Sequence, residues 1–194
     1  MKAITIWPEW CWAITRLGKN VENRTWKPPR SLADGDRVAI HAGGSFGGAS
    51  TYHGLKSVFE PVDSMARRAG WHVCVDVAKN LVNAYSVREP KTVSDRVVKL
   101  PRGAVVAVAT FAGVLNPSTT VGGDRWPWWA FDQFGWIIDS VIALGKPVEC
   151  RGRQGLWNLP PNVEEAVLVE VAASSRKVDE SQKSSSVCGH KSVF

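Results

Sequence analysis

Apolar and polar positions alternate from Lys2 to Trp7 (Lys-Ala-Ile-Thr-Ile-Trp), which predicts a strand. Pro8 suits a first helical turn. Trp10, Ala13, Ile14 and Leu17 then recur at the spacing of one helix face, and Gly18 is placed to end that helix in a left-handed cap. Residues 21 to 26 read as a second strand with Glu22, Arg24 and Trp26 on one face, closed by Pro28-Pro29. After an Ala-Asp-Gly-Asp turn, Arg37 to Ala42 reads as a third strand containing His41, followed by a glycine-rich loop, Gly43 to Gly48.

Farther on, Trp71, Cys74, Val75, Ala78, Leu81, Val82 and Tyr85 fall at helical spacing, so residues 49 to 99 are expected to form a helical insertion. Ala104 to Phe111 is a continuous apolar run rich in β-branched residues, the pattern of a strand buried on both faces. Residues 116 to 130 form a Gly-, Pro- and Trp-rich loop, Gly135 to Asp139 another strand, and Glu164 to Ala172 the last. From Ser174 the chain is rich in Ser and Lys and is expected to be a disordered tail. About six strands cluster at both ends of the chain and must share one core. Regular βαβα alternation is missing. The expected class is therefore α+β, a mixed β-barrel with flanking helices, in a single domain over residues 1–173.

Composition changes this picture little. At 194 residues, 44% apolar and 22% charged, the chain is long enough for a core without disulfides or metal. The net charge of +6 leans toward polyanionic partners; residues 172 to 194 carry +2 of it, leaving +4 on the body. Cys11, Cys74, Cys150 and Cys188 form no C-x-x-C pair and read as free thiols. No run approaches the roughly 20 apolar residues that span a bilayer, and no secretory signal is recognisable. A cytoplasmic location and no membrane partner are expected. The four histidines and four cysteines lack metal-ligand spacing, so neither metal nor other cofactor is expected.

Gly18-Lys19-Asn20-Val21-Glu22-Asn23-Arg24 resembles the signature of the ASCH domain family, G-x-K-x-x-E-x-R. Further pieces agree in the same order: Ile-Thr-Ile-Trp followed by Trp10; Asn23-Arg24-Thr25-Trp26; Ile40-His41-Ala42; Leu100-Pro101-Arg102-Gly103-Ala104; Phe134-Gly135-Trp136; and Cys150-Arg151-Gly152 before Gly155-Leu156-Trp157. Leu17 stands where the family has its first glycine, and Gly18 sits one place later. The resemblance implies a PUA-like barrel whose cleft is lined by the signature residues. It implies a function among readers of RNA and modified bases, ribonucleases and amidohydrolases of acylated nucleosides.

Each signature side chain has chemistry suited to a nucleotide. Lys19 is a compact cation for phosphate, Glu22 accepts hydrogen bonds from an exocyclic amine, and Arg24 grips phosphate or stacks on a base. Trp26 adds an aromatic wall, Trp136 can edge the cleft, and Arg151 and Arg153, which flank Gly152, can widen a basic rim. Trp126-Pro127-Trp128-Trp129, with Arg125 before it, reads either as a stacking platform or as a loop locked onto the core. For catalysis the candidates are Lys19, Glu22 and His41, with Glu22 activating water and His41 titrating near neutrality. The amidohydrolase branch has a threonine where this chain has Glu22, which removes its hydroxyl. The main expectation is binding of RNA or a nucleotide or nucleoside ligand. The alternatives are a metal-independent hydrolase, and an adaptor that docks a protein partner through residues 49–99.

Overall fold

The computed structural model describes residues 1–44, 100–117, 126–130 and 132–187, with side chains as far as Arg176. The expected helical insertion, most of the glycine-rich loop and Arg125 lie outside the described residues. Among the described residues there are six strands: β1 (Lys2–Ile6), β2 (Val21–Arg24), β3 (Arg37–Ala42), β4 (Ala104–Leu115), β5 (Phe134–Glu149) and β6 (Leu156–Asn158). They form one mixed sheet in the order β2-β5-β4-β3-β1-β6. The β1–β3 pair is parallel and the other pairs are antiparallel. Register shifts interrupt the β3–β4 and β4–β5 ladders, and such bulges bend and twist long strands. The sheet curls into a half-barrel, so the α+β class read from the sequence holds.

Alternation along the strands builds a core on each face. Ile4 and Ile6 of β1 join Val38 and Ile40 of β3, with Phe111, Trp136 and Ile138, beneath Cys11 and Ile14 of helix α1 (Pro8–Arg16). Ala3 and Ala39 point the other way and meet Val105, Val108, Leu144 and Trp157. The second face is covered by helix α2 (Pro161–Val187), which contributes Val163, Val167 and Val171.

Helix α2 corrects the sequence reading of 164–172 as a strand. Val167, Val169 and Val171 fit a strand at period two. Val163, Val167 and Val171 fit a helix at period four, and both patterns share two of their residues. The structure follows the second: Val163, Val167 and Val171 are buried while Val169 is 61% exposed. Pro161 opens the helix, and Glu164 in its first turn pairs with the N-terminal ammonium of Met1. The helix continues to Val187, through the first part of the segment read as a disordered tail. The sixth strand is instead the short β6, which the tryptophan motif around Trp157 supplies.

A third apolar cluster lies under the far side of α1, where Ala13, Leu17 and Val21 meet Leu115, Trp128 and Trp129. Trp128 and Trp129 are each 1% exposed, so these two rings are core rather than an open stacking platform. Asn23 pins their loop: its Nδ2 donates to the Trp128 carbonyl at 2.9 Å, and its Oδ1 accepts from the Ala130 amide at 2.8 Å. Gly135 makes room for them. A Cβ there would lie 2.8 Å from both Trp129 Cδ1 and Val21 Cγ1. Gly135→Ala is therefore expected to destabilise by about 1–3 kcal/mol through overpacking. Urea unfolding followed by tryptophan fluorescence checks this, and an unchanged midpoint would refute the packing account.

Candidate functional site

Helix α1 ends so as to aim Lys19 inward. Gly18 adopts φ 64°, and the Lys19 amide donates back to the Ala13 carbonyl at 3.1 Å. The chain then turns directly into β2. Glycine is suited to position 18 because the left-handed conformation carries no Cβ penalty there. This accounts for a glycine one place later than in the family signature.

Lys19, Glu22 and Arg24 meet as the sequence suggests, but as a buried ion triad. Lys19 is 1% exposed; its Nζ donates to Glu22 Oε2 at 2.8 Å and to the Val21 carbonyl. Its ammonium also lies 5.4 Å from the centroid of the Trp10 ring, within cation–π range. Arg24 Nε sits 3.2 Å from Glu22 Oε1, and its Nη2 donates to the Thr5 carbonyl at 2.7 Å. The trio carries one net positive charge, and Lys19 sets the potential of a wall without presenting an open ammonium.

Two adjoining hollows lie beside the triad and share Thr5, Trp7 and Arg24. The first, of about 330 Å³, is walled by Trp7, Trp10 and Ile6, with Lys19, Glu22, Asn23 and Gln133 as its polar groups. The second, of about 740 Å³, is lined by Arg24, Trp26, His41, Arg151 and Arg153, with several glycines. Of the residues singled out from sequence, Lys19, Glu22 and Arg24 thus line the first hollow, and Arg24, Trp26, His41 and Arg151 the second. Trp136 does not line either hollow. It is buried behind Trp26, stacked edge-on at 4.7 Å between centroids, with its Nε1 donating to the Trp26 carbonyl at 3.3 Å.

Sequence reasoning missed Trp7 and Trp10 as lining residues, while Arg153, read with Arg151 as a basic rim, lines the second hollow. A signal for Trp7 existed: Ile4 and Ile6 face the core, so period two places Thr5 and Trp7 together on the other side. Trp7 is 52% exposed at the junction of the two hollows.

His41 lies opposite Thr5 in the parallel β1–β3 register. Its Nε2–H donates to the Cys150 carbonyl at 3.0 Å, while Nδ1 is buried without a partner. Burial lowers its pKa, so the ring is neutral at pH 7. Gly152 packs against it, since a Cβ there would fall 2.5 Å from His41 Cε1. His41 therefore closes a strand through one backbone hydrogen bond. Glu9, one residue before Trp10, is 0% exposed with both carboxylate oxygens unpartnered, and burial raises its pKa to about 7. Among the described residues, no group of three or more His, Cys, Asp or Glu is placed to hold a metal ion. Cys11 and Cys150 are free thiols, and no described helix is long and apolar enough to cross a membrane.

The triad's geometry predicts an asymmetry. Glu22→Gln strands two cations, one of them fully buried, and is expected to destabilise by about 3–5 kcal/mol. Lys19→Met leaves Glu22 paired with Arg24 and is expected to lose clearly less. Denaturant titrations of both variants compare them, and equal losses would contradict the asymmetry. Glu9 gives a pH dependence. Its folded pKa of about 7 lies above the usual 4.5, so the folded state holds a proton the unfolded state releases between these values. Its contribution is fully present below pH 4.5 and is lost as pH rises through about 7. Glu9→Gln is expected to flatten the decline in Tm over that window, as read by thermal melts across pH, and an unaltered slope would rule out a buried protonated Glu9.

No family model matches the chain, and no curated protein matches it. In structure it is similar to the ASCH protein of Zymomonas mobilis, at 13% identity and a TM-score of 0.46 over 87% of this chain and 93% of that one. A crystallised Tyr-to-Phe variant of the same protein aligns at 12% identity and a TM-score of 0.42, over 87% of this chain and 96% of that one.

Proposed function

We propose that this chain binds a nucleotide unit of single-stranded nucleic acid, RNA foremost, in the cleft lined by Lys19, Glu22, Arg24 and Trp26. The observation that carries the reading is the placement of Trp7, a half-exposed indole standing beside Arg24 between two hollows. A large ring left open to solvent next to a guanidinium is what base stacking and phosphate contact require together. The first hollow falls at the lower end of the range for small-ligand sites, about 300–1,000 Å³. Its mixture of indole walls and a few fixed polar groups suits one base.

Binding is favoured over hydrolysis by the same contacts. The Lys19 ammonium is held by Glu22 and a backbone carbonyl, and Nε2 of His41 is held by Cys150. Neither group is poised for proton transfer to a ligand, and the hydroxyl nucleophile of the amidohydrolase branch is replaced by Glu22.

Fluorescence anisotropy of a short labelled single-stranded RNA at low salt tests the reading. Trp7→Ala should keep the fold, because the ring is half-exposed, and should weaken binding by about tenfold to a hundredfold, the worth of one stacked base. Affinity should fall as salt rises. Binding that ignores both the Trp7 substitution and salt would place the RNA elsewhere or dismiss it as a ligand.

A further inference from the structure

The two hollows differ in charge as well as size. In the first, Lys19 is paired with Glu22, the shared Arg24 is the other cation, and Thr5, Asn23 and Gln133 are uncharged polar groups among apolar walls. In the second, Arg24, Arg151 and Arg153 are the charged groups, and no described residue lining it is acidic. Arg151 and Arg153 are exposed and form no ion pair with a described residue. They flank Gly152 on the loop between β5 and β6. Among the described residues, the amides from Arg151 to Gly155 have no backbone hydrogen-bond partner. This loop is fixed at its base, where the Cys150 carbonyl accepts from His41 and Gly152 packs on the imidazole. Two guanidinium groups without a described ion-pair partner, and amides without a described backbone partner, thus line the same hollow as Arg24.

Such a lobe is out of proportion to an internal phosphodiester, which carries one charge and two free oxygens. Three guanidinium groups and these amides suit a terminal phosphoryl group, with two negative charges and three oxygens to accept hydrogen bonds. From this we infer that the second hollow is a subsite for a terminal phosphate, so that the cleft takes a phosphorylated nucleotide end: base against Trp7 and Trp10, phosphate on Arg24, Arg151 and Arg153. The inference rests on the nucleotide-binding reading and narrows it. A free nucleoside monophosphate and the phosphorylated end of an RNA share this chemistry.

The test uses the full chain and calorimetric titration with the four nucleosides, their 5′- and 3′-monophosphates, and short RNAs with and without a terminal phosphate. A terminal phosphate should tighten binding by about tenfold or more, the worth of at least one charge-assisted hydrogen bond. Arg151→Ala with Arg153→Ala should abolish that gain, so that the variant binds phosphorylated and unphosphorylated counterparts alike. Both side chains are exposed, so the melting temperature should not move. A gain seen only with RNA assigns the subsite to a strand end, and a gain with monophosphates alone assigns it to free nucleotide; either supports the subsite. Equal affinity with and without terminal phosphate, with binding still dependent on Trp7, would overturn the subsite and leave the cleft reading standing. No binding of any of these ligands would overturn both.

Discussion

A carboxylate buried between two cations holds the open side of this sheet together. β1 and β2 are separated by three strands in the sheet order, so no ladder joins them. Glu22 gathers Lys19 and Arg24, and Arg24 reaches across to donate to the carbonyl of Thr5 on β1. The triad thus spans the gap between two strands that the backbone leaves apart. Buried ion pairs of this kind add little net stability, because desolvation offsets the attraction. What they supply is a defined geometry, since any other arrangement would strand a charge. The cleft lies along this seam, and its walls are the same residues that close it.

The tryptophans divide according to the same geometry. Trp128, Trp129, Trp136 and Trp157 are buried and fill the clusters around the sheet. Trp10 and Trp26 are half-buried and back the cleft, and Trp7 alone among the described rings is more than half exposed. Their number marks a protein that packs with large rings. Only their position relative to Arg24 separates a ligand wall from a core residue.

Several motif residues owe their identity to packing. Asn23 pins the loop that carries Trp128 and Trp129, and Gly135 leaves space for Trp129 and Val21. Gly152 leaves space for His41, and the carbonyl of Cys150 holds its imidazole. The short motifs that carry the family resemblance are therefore legible as fold signals in their own right. Read singly, Trp136 resembled a cleft residue because its chemistry is that of sites. Its hydrogen bond to the Trp26 carbonyl shows how such a group is satisfied inside a core.

Local order decided the strands from Lys2 to Phe111, helix α1, its glycine stop, and the shared face of Glu22 and Arg24. Period-two alternation and one helical face are properties of neighbouring residues and need no distant partner. The sequence also placed Lys19, Glu22 and Arg24 together, because a tight helix-to-strand turn joins them. Tertiary structure decided the rest. Helix α2 displaced the expected strand because the second sheet face needed a cover, and valines spaced by four supplied it. The loop at Arg151 to Gly155 lines a hollow with Thr5 of β1 and Arg24 of β2 only through folding, so sequence spacing offered Arg151 and Arg153 as a basic rim without showing that Arg24 joins them. Trp7 took its place as a cleft residue from that same convergence, since exposure depends on everything that does not pack against a side chain.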